Sequence, residues 1–136
     1  MVPDANTDTV REAIEAFSRG QLEESLSAFH PDVVWEVDQE FFLEGGTYRG
    51  HEGVLEFWGQ WRDAFEGFEL VIEECEAVGE EHVLVMSRAQ GRGAGSGAPV
   101  GSPAFAHVYE LRDGRIVRML MHPSREEALR AAGPPE

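Results

Sequence analysis

Phe105-Ala106-His107-Val108-Tyr109-Glu110-Leu111-Arg112-Asp113-Gly114-Arg115-Ile116-Val117-Arg118-Met119-Leu120-Met121-His122 is the stretch that decides the fold. Asp-Gly between two alternating apolar runs is the strongest short hairpin signal, because both turn positions need a left-handed backbone. It predicts strands over Ala104–Arg112 and Arg115–His122. With a two-residue turn, Leu111 faces Ile116, Tyr109 faces Arg118, His107 faces Leu120 and Phe105 faces His122. Cross-strand partners share a face. One face then carries those eight residues, and the other carries Ala106, Val108, Glu110, Val117, Met119 and Met121. A bulge in the last strand would instead turn Met119 and Met121 to the first face and send His122 to the second.

Working outward, Phe68–Val78 and His82–Arg92 read as two more strands. Gly91–Pro103, with five Gly and two Pro, reads as a loop or a widened hairpin. Upstream, Val10, Ala13, Ile14 and Phe17 form one helical stripe over Thr9–Arg19, with Thr9 and Glu12 as a capping box and Gly20 as the stop. Leu22–Phe29 is a second short helix. Val33, Trp35 and Val37 alternate as a strand over Asp32–Asp38. Gln39–Gly50 is a long connection carrying Phe41 and Phe42. Gly50–Phe65 is a third helix, with Val54, Phe57, Trp58, Trp61 and Phe65 at helical spacing. Ser124–Ala132, with Ser124 and Glu127 as a second capping box, is the last. The order is αα-β-α-ββββ-α: one α+β domain over residues 1–136, with helices on one face of a largely antiparallel sheet.

The 136 residues carry 26 Asp and Glu against 11 Arg and no Lys, a net charge of −15. That balance disfavours nucleic acid and anionic membranes as partners, because both are bound through cations. Without lysine there is no Schiff-base chemistry. A single cysteine, Cys75, excludes an internal disulfide and a cysteine-rich metal site. No apolar run is long enough to span a bilayer. Met1–Thr9 lacks the basic and apolar parts of a signal peptide, so the expected location is the cytoplasm.

Five phrases in order carry a resemblance. They are Arg19-Gly20-Gln21-Leu22, Phe29-His30-Pro31-Asp32-Val33-Val34-Trp35, Tyr48-Arg49-Gly50-His51-Glu52-Gly53-Val54, Leu111-Arg112-Asp113-Gly114-Arg115-Ile116-Val117, and Ser124-Arg125-Glu126-Glu127-Ala128-Leu129 with Ala132-Gly133. Over about residues 8–133 the chain resembles the SnoaL-like polyketide cyclases, within the ketosteroid isomerase-like, nuclear transport factor 2-like superfamily. The resemblance implies a cone of curved sheet around the third helix, an apolar pocket at its wide end and a homodimer through the outer sheet face. For that dimer, Val108, Val117, Met119 and Met121 would supply an apolar surface.

In ketosteroid isomerases a base carboxylate stands on the first strand, and a Tyr and a protonated Asp bind the oxyanion. The resemblance puts Val37, Ala13 and His107 at those places, so this chain departs from that chemistry at all three. His107 is the expected acid/base group, because an imidazole exchanges protons near neutral pH. Tyr109 and Arg118 are expected beside it to stabilise an oxyanion. The alternative for His107, as for His122, is a buried histidine satisfied by a neighbour. Trp35, Val37, Phe105, Leu120 and His122 are expected to line the pocket, with at least one of Trp58 and Trp61, and Phe41 and Phe42 to border its mouth. No carboxylate is evident beside His107 or His122, so no metal is expected, and no cofactor. The expected partner is a small hydrophobic organic ligand. The expected activity is cyclisation, isomerisation or dehydration of a carbonyl compound. The alternative is binding or dimerisation alone.

Overall fold

In the computed structural model, residues 3–38, 45–93, 95–101 and 104–132 are described, with the backbone alone at 3, 4, 61, 64, 65, 68 and 100. The chain runs α1 (Pro3–Ser18), α2 (Leu22–Leu26), β1 (Phe29–Val37), β2 (Gly46–Arg49), α3 (Gly50–Ala64), β3 (Phe65–Val78), β4 (His82–Gly93), β5 (Pro99–Gly101), β6 (Phe105–Arg112), β7 (Arg115–His122) and α4 (Arg125–Ala132). The strands form one sheet in the order β2-β1-β7-β6-β4-β3, with β5 paired to β4. Every pairing is antiparallel except β1 with β7.

The turn between β6 and β7 forms as the sequence demands, with Asp113 at φ +52° and Gly114 at φ +78°. The register beyond it changes parity. Leu111 faces Ile116, but Glu110 faces Arg118, so Val117 is an extra residue on β7. Past this bulge Tyr109 faces Met119 and His107 faces Met121. Met119 and Met121 therefore join the inner core with Phe105, Tyr109 and Leu111. Arg118, Leu120 and His122 turn to the opposite face, which corrects the simple two-residue register.

The inner face packs against α1 and α3. Val10, Ala13, Ile14 and Phe17 of α1, Val54, Phe57 and Trp58 of α3, and Val33, Trp35 and Val37 of β1 share one buried core. Helices do not occupy one face alone. On the outer face Ala128, Leu129 and Ala132 of α4 pack with Leu84, Ala106 and Val108. This changes the setting of the four residues expected at a dimer surface. Met119 and Met121 point inward, and Val108 lies beneath α4. Val117 sits in a shallow groove lined by Glu36, Arg49, Glu110, Arg112 and Arg118.

Several boundaries shift for local reasons. Helix α1 begins at Pro3, so Thr9 lies inside it, and its hydroxyl donates to the Ala5 carbonyl at 3.0 Å instead of capping. Helix α2 stops at Leu26, and Phe29 opens β1. Strand β2, read as part of a loop, pairs Gly46–Arg49 with Val34–Val37. The second capping box forms, with the Glu127 N–H donating to Ser124 Oγ at 3.2 Å. Among the described residues no helix is long and apolar enough to cross a membrane.

The start of α3 packs tightly on β2. A Cβ at Gly53 would lie 2.8 Å from the Tyr48 carbonyl carbon, a backbone atom that cannot swing away. Gly53→Ala should therefore cost about 1–3 kcal/mol as overpacking, despite alanine's better helix propensity. The check is the urea midpoint, and a stabilised variant would show that α3 can lift off β2 freely.

Candidate active site on the inner face

Alternation on β4 and β6 builds the polar end of the inner face. Val83, Val85, Ser87 and Ala89 point inward from β4, and Phe105, His107 and Tyr109 from β6, with Val85 opposite His107 and Ser87 opposite Phe105. His107, at 1% exposure, lies between two hydroxyls. Its Nε2 is 2.9 Å from Ser87 Oγ and its Nδ1 is 3.1 Å from Tyr109 Oη. The three inward rings of β6 stack, Phe105 on His107 at 4.9 Å and His107 on Tyr109 at 5.7 Å. This row is a direct result of the two-residue strand period.

Burial sets the protonation states. It pushes the His107 pKa down to about 3, because a cation is costly where water cannot reach it. The imidazole is therefore neutral, with one nitrogen donating and the other accepting. Burial pushes the Tyr109 phenol well above its ordinary value, so it stays protonated. If Ser87 donates to Nε2, then Nδ1–H donates to Tyr109 Oη and the phenolic proton is free for a ligand. If Tyr109 donates to Nδ1, Nε2–H donates to Ser87. The chain of three thus has a donor to offer at one end or the other. The neutral imidazole can accept a hydrogen bond or a proton at one nitrogen, and its lowered pKa makes it a weaker base than a free histidine.

Next to this chain lies a mostly apolar cavity of about 10 Å³, bordered by Phe17, Trp35, Trp58, His107, Tyr109 and Met121 among others. That volume is about the size needed for one water molecule. Phe17 stacks on Trp58 with ring centroids 3.8 Å apart, and Trp35 meets Trp58 edge-on at 5.3 Å. Trp35 is 1% exposed, and its Nε1–H has no hydrogen-bond partner among the described residues. A buried unpaired donor costs about 1–3 kcal/mol, so an acceptor oxygen beside it would be stabilising.

The expected site residues divide. His107, Tyr109, Trp35 and Trp58 are brought together around the cavity. Val37 and Phe105 belong to the surrounding inner core. Arg118 is on the outer face, where its guanidinium donates to both Glu36 carboxylate oxygens at 3.1 and 3.4 Å, so it stabilises no oxyanion beside His107. Leu120 and His122 are outward by the same bulge. Phe41 and Phe42, and the side chain of Trp61, lie outside the described residues. Sequence reasoning missed Ser87, whose signal is a hydroxyl standing in the apolar alternation of Val83, Val85 and Ala89. It also missed Asp38, which follows Val33, Trp35 and Val37 and so points outward, beside His122.

A family model described as a SnoaL-like domain matches residues 10–119. An uncharacterised protein of Mycobacterium tuberculosis is 30% identical over 120 residues, 88% of each chain. An NTF2-like protein of unknown function from Burkholderia pseudomallei is 30% identical, with a TM-score of 0.73 over 93% of this chain and 95% of its own. TerC, co-crystallised with polyporic acid, is 25% identical, with a TM-score of 0.74 over 90% and 94%.

Proposed function

From the premise that this chain belongs to the SnoaL-like domain family, with an NTF2-like fold, we propose that it takes up a small hydrophobic carbonyl compound on the inner face of the sheet. Tyr109 would polarise the carbonyl oxygen, without a cofactor, for cyclisation, isomerisation or dehydration. The observation that carries this reading is the Ser87–His107–Tyr109 chain ending on a cavity lined by aromatic side chains. Aligned hydrogen bonds polarise one another, and in a buried site a neutral phenol is a strong donor to a developing oxyanion. His107 is a positioning residue here: it orients the phenol. Trp35, whose buried Nε1–H has no partner among the described residues, also lines the cavity. At about 10 Å³ the cavity holds no organic ligand as it stands, so uptake would part the Phe17–Trp58 stack. Co-crystallisation of TerC with polyporic acid supports an organic ligand for this fold at 25% identity.

A second reading, binding without turnover, is favoured by one observation. Val37 and Ala13, where the resemblance puts a base and a donor, are both buried core residues. The test is tryptophan fluorescence during titration with a panel of hydrophobic carbonyl compounds, followed by product analysis of every hit. The proposal expects saturable quenching. Tyr109→Phe should weaken binding about 2- to 10-fold, as for one hydrogen bond, and slow any turnover about 100-fold or more. Saturable binding with no product would establish the second reading. Equal affinity and turnover in Tyr109→Phe would end the role given to the phenol.

A further inference from the structure

The bulge that turns His122 outward also sets it beside Asp38. Val37 and Met121 are partners on the parallel strands β1 and β7. The next residue on each chain, Asp38 and His122, points to the outer face at the ends of those strands. The Asp38 N–H donates to the Met121 carbonyl at 3.0 Å, which fixes the pair in register. Glu127, from the first turn of α4, completes the group. One ligating atom from each of Asp38, His122 and Glu127 lies within 4.8 Å of the other two.

Two further features make this more than a chance meeting of charges. His122 Nδ1 is buried and has no hydrogen-bond partner among the described residues, yet it faces Asp38 Oδ2 at 3.5 Å. A nitrogen and an oxygen bound to one zinc ion at about 2.1 Å in tetrahedral geometry stand about 3.4 Å apart. The spacing is therefore long for a hydrogen bond and right for a shared cation. Glu127 is also held in place. Its N–H donates to Ser124 Oγ, and Ser124 Oγ donates to Glu127 Oε1, both at 3.2 Å. Hydrogen bonds that hold a ligating residue from behind in this way orient it towards a metal. Arg125, the nearest basic residue along α4, is turned away, paired with Glu74 and Glu76.

We propose that Asp38, His122 and Glu127 form a site for a divalent transition-metal ion, zinc being the reference case, on the outer face of the sheet. One imidazole and two carboxylates suit such an ion, and three protein ligands leave a position for water. The ion would tie together the ends of β1 and β7 and the start of α4. The site is across the sheet from the aromatic cavity and does not depend on the carbonyl-ligand reading.

The experiment uses the full chain stripped with a chelator. Zinc is titrated by calorimetry, and cobalt by visible absorption. The expected result is one saturable equivalent per chain, a zinc-dependent rise in melting temperature, and a cobalt spectrum of mixed nitrogen and oxygen ligation. Loss of a residue that merely hydrogen-bonds to a metal ligand costs about 10- to 100-fold in affinity, so His122→Ala and Glu127→Gln should each lose at least about tenfold. His82→Ala should bind as the parent does. Glu127 is exposed, so Glu127→Gln decides the matter even where His122→Ala does not fold. No saturable binding overturns the proposal. So does equal affinity in Glu127→Gln and the parent, which would assign the metal to the acidic surface at large.

Discussion

Trp35→Ala should destabilise the fold by about 3–5 kcal/mol, the range for removing a large buried aromatic. Trp35 stands at the middle of the inner face. Its ring is 5.6 Å from Phe29, 5.7 Å from Phe57 and 5.3 Å from Trp58, at tilted or edge-on angles. These partners come from β1 and α3, so the indole joins the sheet to the helix above it. Truncation would open a void between elements whose spacing is set by the strand pairings and cannot fully close. Trp35→Phe should lose much less, because it keeps a ring and also removes the unpaired Nε1–H. Equilibrium urea unfolding of both variants checks this. A loss below about 2 kcal/mol in Trp35→Ala would mean that Phe57 and Trp58 collapse into the space. Should Trp35→Ala fail to fold, the Trp35→Phe value carries the comparison.

The second large effect is on acid stability. Folded His107 titrates near 3 and the unfolded residue near 6.5. Between those values the unfolded chain holds a proton that the folded chain does not. Stability therefore rises with pH across this window. Its contribution is intact above about 6.5 and falls as the pH drops, by up to about 1.4 kcal/mol per pH unit. Two units below 6.5, the loss from this one group approaches about 2.7 kcal/mol. The informative quantity is a difference between two proteins that share every other titrating group. His107→Gln keeps a neutral polar side chain that does not titrate. Its deficit relative to the parent should be largest near pH 7 and should shrink steadily towards pH 4.5. Parallel profiles for the two proteins would show that position 107 takes up its proton as readily when folded as when unfolded.

The sequence made the faces of the sheet legible where period-two alternation ran unbroken. Val33, Trp35 and Val37 face the core, as do Phe105, His107, Tyr109 and Leu111. It pointed to the plain register of β7, with the bulged one as the alternative, because a two-residue turn fixes only the pairs beside it. Burial decides for the bulge: it hides Met119 and Met121 and leaves Arg118 free to meet Glu36. Strand β2 was illegible for another reason. It has four residues in a glycine-bearing segment, too few for a pattern, and it exists because the edge of β1 offers it hydrogen bonds. Helix α4 is legible as a helix, but its side of the sheet is not. The small residues Ala128 and Ala132 suit the outer face because Ala106 there lets a helix approach closely. Ser87 and Asp38, the polar residues that give the two sites their character, each follow from strand parity once the strand ends are known.

The parallel pairing of β1 with β7 also sets a timetable. The first strand leaves the ribosome while its central neighbour is still unmade, since Arg115–His122 is the last strand of the chain. Until then β1 has only the short β2 beside it, and the side chains of Val33, Trp35 and Val37 have no finished core to enter. At a synthesis rate of about 5–20 residues per second, that leaves an apolar strand uncommitted for some seconds. Nearly all of this domain must therefore be made before its interior can close, and a chain that stops short of β7 would leave Phe29 and Trp35 of its first strand open to other proteins.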